Sequence, residues 1–303
     1  MQRLGLALAA LWVVATATFA LLHAIPGDPF STQHIGATTH ALLVARYGLD
    51  LPLWQQYLTF LGNLAHGRLG WSLVDPQRTV ADIIAQGFPV SGLLGLEALV
   101  WSVSGGIALG LLAAARPRGA AATGALVVTL AGLAVPNFVL ALLLDWLVGV
   151  RWQLLPVAGW GGLAASILPA FSLGMVALAL VTRLIQAQAR GVLSSAYIRT
   201  ARAAGIPEGR ILRRHVLRNA SLPLLAVLGP MAAAILTGSF AIEQIFSIPG
   251  LGRVYVQSIL DRDYPVVLGL TLFYAALLLA FNLLADVAHP LLDPRVRHGG
   301  VRP

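Results

Sequence analysis

One polar stretch, Tyr197-Ile198-Arg199-Thr200-Ala201-Arg202-Ala203-Ala204-Gly205, interrupts an otherwise apolar chain and decides how the chain is interpreted. Its alanines favour a short helix. Ser194 or Ser195 can cap the start of that helix, because a side-chain oxygen satisfies a free N–H there. Gly205 is expected to end the helix, since glycine takes the left-handed conformation without a Cβ clash.

A second short helix is predicted after Pro207, which suits the first turn because its missing N–H costs nothing there. Five residues of this helix recur at three- and four-residue spacing and are expected to share a packing face: Ile211, Leu212, His215, Val216 and Asn219. Four arginines crowd the remaining surface: Arg210, Arg213, Arg214 and Arg218. The region therefore reads as a helix-turn-helix loop with one basic face.

The composition around this loop is that of an integral membrane protein. Of 303 residues, 58% are hydrophobic and 11% are charged, whereas soluble domains carry about 25% charged residues. The absence of cysteine excludes a disulfide framework and a thiolate metal site. The absence of lysine excludes a P-loop of its own, because that motif needs a lysine to reach the phosphates.

Six apolar segments are long enough to span a bilayer core, which takes about 20 helical residues. They are Leu4–Ile25, Pro89–Ala115, Ala121–Gly149, Leu163–Val181, Leu222–Ile242 and Val266–Ala285. The first is longer than the apolar part of a signal peptide, about 7–15 residues, so we interpret it as an uncleaved anchor. Six spans place both termini on one side of the membrane.

Arginine placement orients the spans, because cytoplasmic segments carry the excess of basic residues. With the N-terminus inside, the inner segments hold more than twice as many arginines as the outer ones. The formal net charge of +8 is thereby explained without nucleic acid. The loop around Arg202 is then cytoplasmic, and the segments 26–88 and 243–265 are external.

The polar stretch resembles the cytoplasmic EAA loop of ABC-importer permeases, in the form found in the dipeptide/oligopeptide/nickel class. Arg199 and Thr200 stand where the general pattern has Glu and Ala, whereas Ala201 and Gly205 keep its Ala-x-x-x-Gly core. Further motifs match over nearly the whole chain: Pro26-Gly27-Asp28-Pro29, Gly48-Leu49-Asp50-Leu51-Pro52, Leu69-Gly70-Trp71-Ser72, Glu243–Gly252, Arg262-Asp263-Tyr264-Pro265 and Asp293-Pro294-Arg295.

The resemblance implies an all-α integral membrane fold, the six-helix type I ABC permease with a cytoplasmic EAA-like coupling loop. It implies a single permease domain, 1–303, with an external segment at about 26–88, a coupling loop at about 187–220, an external loop at about 243–265 and a cytoplasmic tail at about 290–303. The implied partners are a second homologous permease, two ATPase subunits that bind ATP and Mg, an extracytoplasmic solute-binding protein and membrane lipid. The chain itself would be non-catalytic and free of cofactor and metal, in the inner membrane with both termini cytoplasmic.

Three sets of candidate residues follow from this comparison. The expected ATPase-coupling residues are Tyr197, Arg199, Thr200, Ala201, Arg202, Ala204, Gly205, Arg210, His215, Arg218 and Asn219. The expected external docking face is Asp50, Glu243, Phe246, Pro249, Gly250, Arg253 and Asp263. The candidate translocation path is Glu97, Pro136, Asn137 and Pro230.

The sequence leaves several alternatives open. Glu97 and Asp145 either line a passage or make ordinary interhelical hydrogen bonds, and the role of His289 is undetermined. Pro136 and Pro230 either shape a cavity or are static kinks. Other classes are disfavoured: an intramembrane hydrolase lacks its motifs, and a secondary carrier should show inverted repeats. Di- or oligopeptides are the default solute, with nickel, glutathione or opines as alternatives.

Overall fold

A computed structural model describes residues 2–25, 30, 36–237 and 240–292. Within these ranges the chain is helical, and the only β-pairing is an isolated bridge between Trp71 and Thr79. Two of the predicted motifs, Pro26-Gly27-Asp28-Pro29 and Asp293-Pro294-Arg295, lie outside the described residues, as does the side chain of His289.

The helices are α1 (Gln2–Ala24), α2 (Ala37–Tyr47), α3 (Leu53–Ala65), α4 (Val80–Ala115), α5 (Ala120–Ala134), α6 (Asn137–Leu144), α7 (Leu163–Leu193), α8 (Ala196–Ala203), α9 (Glu208–Arg210), α10 (Leu217–Ala220), α11 (Leu222–Leu236), α12 (Phe240–Ile245), α13 (Leu251–Leu260) and α14 (Tyr264–Leu292). Two π-helical segments, Asp145–Arg151 and Ile211–Val216, adjoin α6 and α9.

Five helical segments are long and apolar enough to cross a membrane: Leu4–Ala24, Val80–Ala115, Leu163–Leu193, Leu222–Ile245 and Tyr264–Ala285. A sixth is the pair of α5 with α6 and its π-helical extension, which bends by 111°. Pro136 explains the bend, because the residue before a proline is pushed out of the α conformation, and Val135 is extended at φ −95°, ψ 120°. The predicted break at Pro136 is confirmed, whereas Pro230 lies inside the continuous helix α11.

The second span begins earlier than the sequence suggested. We expected its start at Pro89, but α4 begins at Val80 and continues through that proline. A reciprocal cap fixes the start: the N–H of Asp82 donates to the Thr79 hydroxyl at 3.1 Å, and the N–H of Thr79 donates to the Asp82 carboxylate at 3.1 Å. Such a capping box satisfies two backbone donors that a helix start leaves unpaired. The fourth span is also longer than predicted and continues to Leu193.

By internal contacts the chain divides into two compact units, of which the first comprises Met1–Val90 and Pro249–Leu277. Its core packs the end of α1 against the start of α14 through residues such as Phe19, Leu22, Tyr264 and Leu268. Helix α3 divides its aromatic residues between this core and solvent: Tyr57 packs on the core, whereas Trp54 stays 61% exposed. An amphipathic helix at the membrane surface has this division of apolar contact and exposed aromatics.

The second unit comprises Ser91–Ile248 and Leu278–Pro303 and is built around α7. Close approach of α4 to α7 depends on glycines of α4. A Cβ on Gly106 would lie 2.7 Å from the Val181 Cβ, and one on Gly110 would lie 2.7 Å from the Thr182 carbonyl oxygen. These distances are too short for any side chain, so glycine lets the backbones approach.

Candidate functional site

The first helix of the predicted coupling loop, α8, ends at Gly205 with φ +74°. The Gly205 N–H donates to the Arg202 carbonyl at 3.0 Å, and the Ile206 N–H donates to the Ala201 carbonyl at 3.2 Å. These two bonds satisfy carbonyl groups that a helix end otherwise leaves unpaired. Nothing in the described chain lies within 4 Å of a Cβ built on Gly205. The left-handed turn is confirmed, and glycine is required there for its backbone conformation.

The predicted serine cap of α8 is wrong. Ser195 occupies the N-cap position, but its hydroxyl donates to the Val192 carbonyl at 2.6 Å and makes no cap bond. The Ser195 N–H donates to the same Val192 carbonyl at 3.1 Å, so both polar groups of Ser195 are used at the C-terminal end of α7. Pro207 is likewise the N-cap residue of α9 and precedes its first turn.

An ion pair closes the turn between α8 and α9. The Arg202 Nε donates to Glu208 Oε1 at 2.6 Å, and a second guanidinium nitrogen donates to Oε2 at 3.3 Å. The hydrogen bond from Arg202 and its charge lower the pKa of the Glu208 carboxyl from its ordinary value, because both favour the ionised form. Both side chains are exposed, so water screens most of the stabilisation.

The second loop helix differs from the prediction in its geometry. Ile211 and Val216 are fully buried although they are five residues apart, which would place them about 140° apart on an α-helix. The π-helical turn Ile211–Val216 winds less tightly and brings both to one face. The predicted packing face was therefore wrong in part: Leu212 and His215 are only half-buried, and Asn219 is exposed.

The buried side of the loop rests on the ends of α4 and α7. One core cluster joins Ala114 and Ala189 of those helices to four buried loop residues: Ile198, Ile211, Val216 and Ala220. On the opposite side, Tyr197 is 47% exposed and accepts a hydrogen bond from the Asn219 amide at 3.2 Å. The arginines at positions 199, 210, 213, 214 and 218 are also exposed. The loop thus combines an apolar base with an accessible, basic outer surface.

The predicted external docking residues divide into two groups. Asp50, Pro249 and Arg253 are exposed. The other four are buried: Glu243, Phe246, Gly250 and Asp263. Their assignment to an accessible face is therefore wrong: Glu243 and Asp263 make internal hydrogen bonds, and Phe246 belongs to the buried apolar core.

Two buried carboxylates show what those internal bonds do. Asp263 accepts hydrogen bonds from the Ser72 hydroxyl and, at 3.1 Å, from the Leu73 N–H. Glu243 accepts a hydrogen bond from the Ser91 hydroxyl at 2.7 Å, which links α12 to α4 within the second unit. Buried carboxylates require such partners, because an unpaired buried charge is costly.

Two of the exposed docking candidates, Pro249 and Arg253, border a cleft of about 720 Å³ in the first unit, whereas Asp50 does not line it. Charged side chains of both signs line it: Asp75, Arg78, Arg253 and Asp261. Its floor includes Gly87, where a Cβ would lie 2.7 Å from a Leu251 methyl. Mixed charge around a concave surface suits a reversible protein contact.

Two of the four translocation candidates lie together in the second unit. Asn137 and Pro230 line a cavity of about 760 Å³ between α6, α7 and α11. Glu97 and Pro136 are not among the residues that line it, although Pro136 directly precedes Asn137. Sequence reasoning missed the α7 stripe of Leu173, Val176, Leu180 and Leu184, which also forms the wall. The only signal was its helical spacing, which any membrane-spanning helix shares.

Asp145 is half-buried at the start of the first π-helical segment. One of its carboxylate oxygens is buried and has no hydrogen-bond partner among the described residues. The oxygen lies 3.3 Å from the position of a Cβ on Gly149, so glycine leaves room beside it. Asp145 does not line the cavity.

Comparison with known proteins identifies the class to which these features belong. The family model for the inner membrane component of binding-protein-dependent transport systems matches residues 106–298, which include the loop and the cavity. The chain belongs to this family. The predicted resemblance and the all-helical type I permease fold are thereby confirmed, and the chain is a multi-pass transport permease of the inner membrane.

Individual relatives are similar over almost their full length. The dipeptide transport system permease protein DppB of Lactococcus lactis subsp. cremoris is 39% identical over 297 residues, 98% of each chain. DppB of Bacillus subtilis is 41% identical over 292 residues, 95% of this chain and 94% of the relative. The oligopeptide transport system permease protein OppB of Salmonella typhimurium is 37% identical over 295 residues, 96% of each chain.

Proposed function

We propose that this permease is the membrane-spanning subunit of an ABC importer that carries di- or oligopeptides into the cell. The names of the dipeptide and oligopeptide relatives support this solute class. In this proposal the whole chain, 1–303, acts as one permease domain beside a second permease. Two separate ATPase subunits supply energy, and an extracytoplasmic binding protein delivers the solute.

One observation carries the mechanism: α7 contacts both the coupling loop and the cavity. Its C-terminal end holds Ala189 in the apolar cluster beneath the loop. Its middle presents Leu173, Val176 and Leu180 to the cavity. Closure of the ATPases on ATP would move the loop, and α7 would carry that movement to the wall of the passage. The chain needs no catalytic residue for this role.

The proposed orientation places the termini and the loop in the cytoplasm, following the arginine excess. A single cysteine can be introduced at Arg202 or at Gln55 in this cysteine-free chain. An impermeant thiol reagent added to intact cells should label position 55 and leave position 202 unlabelled. Labelling of position 202 from outside would contradict both the orientation and the docking role of the loop.

The proposed external partner surface is the mixed-charge cleft together with Asp50. Photo-cross-linkers at Asp50 and Arg253 should capture the binding protein during turnover, because both residues are exposed. A cross-linker at Arg210 is the control, since that side chain is also exposed but lies on the loop that the proposal places in the cytoplasm. Equal capture from all three positions, or none from the first two, would argue against this surface.

Solute identity is tested by reconstitution. The complex with its partner permease, ATPases and binding protein should take up labelled dipeptide into vesicles on addition of ATP. A variant ATPase without its phosphate-binding lysine is the control, because it cannot supply energy. Uptake of nickel, glutathione or an opine in place of peptide would overturn the peptide assignment while leaving the transport class intact.

A further inference from the structure

The wall of the α6–α7–α11 cavity has an unusually uniform composition. Among its described lining residues, Asn137 is the single polar side chain, and none is charged. Several of the apolar residues are open to the cavity: Leu180 is 48%, Val227 44% and Phe240 56% exposed. The volume of about 760 Å³ lies within the range of small-molecule sites. This wall can contact apolar groups over a large area and can make hydrogen bonds at one place.

The Asn137 amide makes no hydrogen bond within the described part of the chain. It begins α6, directly after Pro136, and is partly exposed toward the cavity. Polar groups in a membrane bundle need partners, because the hydrocarbon supplies none. A primary amide can donate two hydrogen bonds and accept two. The Asn137 amide is therefore free, among the described residues, to bind a molecule that enters the cavity.

We propose that Asn137 hydrogen-bonds the backbone amide of a peptide in transit, while the surrounding apolar wall accommodates uncharged side chains. The inference rests on the proposed transport of peptides. A primary amide matches a peptide group, since both groups carry an N–H donor and a carbonyl acceptor. The contact is independent of the side-chain sequence, which suits a passage for many peptides. The uncharged wall offers no counter-ion, so it favours apolar over charged cargo.

The test is uptake by the reconstituted complex at saturating loaded binding protein, so that rates report passage and not capture. Two cargoes are compared: alanyl-leucine and its depsipeptide, in which an ester replaces the central amide. In the unmutated complex alanyl-leucine should pass faster. Asn137→Leu keeps the side-chain size and should lower alanyl-leucine uptake about two- to tenfold, the range for one hydrogen bond. It should lower depsipeptide uptake less, because the ester keeps a carbonyl acceptor but has no N–H to donate to Asn137, and Asn137→Gln should restore part of the loss.

The outcomes separate the possible partners of Asn137. An equal loss for amide and ester would mean that the amide contacts the second permease, and would overturn the proposal. No loss for either cargo would overturn it as well, as would failure of both Asn137→Leu and Asn137→Ala to assemble, which would mark a structural residue. If the unmutated complex carries no peptide at all, the proposed function fails, and that result is distinct from a failure of the Asn137 contact alone.

A second measurement examines the apolar wall. Val227→Thr places a hydroxyl in the wall, whereas Val127→Thr places one on an exposed part of α5 that does not line the cavity. The uptake ratio of alanyl-leucine to alanyl-serine should fall about twofold or more for Val227→Thr and stay constant for Val127→Thr. Equal ratios for both variants would refute selection by this wall.

Discussion

Replacement of Gly205 can distinguish a role in the backbone turn from a role in contact with the ATPase. With φ at +74° and no atom within 4 Å of an added Cβ, the only cost inside this chain is backbone strain. For an ordinary residue that strain is about 1–2 kcal/mol, and for Asn it is smaller. Gly205→Asn, Gly205→Ala and Gly205→Leu should therefore all insert and pair with the second permease, with at most this loss of stability.

Coupling should depend on side-chain size in a way that strain does not. If the ATPase seats on the small-residue tip formed by Ala203, Ala204 and Gly205, Gly205→Leu clashes with the ATPase and Gly205→Asn clashes less. We expect uptake and ATPase stimulation by the loaded binding protein to fall more than tenfold for leucine. Gly205→Leu and Gly205→Ala carry the same backbone strain, so strain cannot explain a larger loss of uptake in the leucine variant.

The assay is purification of the complex, followed by its subunit content, thermal unfolding, ATPase stimulation and peptide uptake. Gly191→Leu is the matched control, because Gly191 is also exposed and open but lies in the regular helix α7. Unmutated uptake by Gly205→Leu would refute the docking argument. Failure of Gly205→Leu to insert in the membrane would show that the residue is structural.

Three further predictions concern structural contacts. Asp263→Asn should destabilise the first unit by about 2 kcal/mol in thermal unfolding, because two buried donors lose their charged acceptor; an unchanged midpoint would contradict this. Gly110→Val should reduce folded yield sharply, since its Cβ would meet a carbonyl oxygen at 2.7 Å, whereas Gly124→Val, with nothing within 4 Å, should not. The hydrogen bond from Arg202 lowers the pKa of the Glu208 carboxyl, so its small contribution, under about 1 kcal/mol, exists at neutral pH and is lost as the pH falls through that lowered pKa; hydrogen exchange of the loop should show this acid dependence, and Glu208→Gln should abolish it.

Sequence patterns predicted the parts of this molecule that depend on local physics. Apolar length located the spans, Pro136 located the bend, and Gly205 located the left-handed turn. Each of these outcomes follows from a property of one residue type or from a short run of residues. The same local reasoning failed at the start of the second span. Pro89 was expected to begin that helix, but a capping box begins α4 nine residues earlier, at Val80.

The remainder depended on tertiary contacts that no local pattern encodes. Burial of Glu243 and Asp263 follows from hydroxyl partners 152 and 191 residues away in the chain. The π-helical turn follows from the need to bury Ile211 and Val216 on one apolar base. The described cavity wall is assembled from four helices, α6, α7, α11 and α12, so Asn137 and Pro230 could be named from sequence but not joined into one surface.

The length of α7 has a mechanical consequence. Its 31 residues extend for about 46 Å at 1.5 Å per residue, without a break between the cavity and the loop. A rod of this length magnifies small rotations: a tilt of about 10° about one end would displace the other end by roughly 8 Å. Because hydrogen-bonded helices bend little except at identifiable defects, a rotation at one end of the helix would be transmitted to the other end. Between Ala189 and Leu173 the helix covers about 24 Å, so the same tilt about Ala189 would displace the cavity wall around Leu173 by roughly 4 Å.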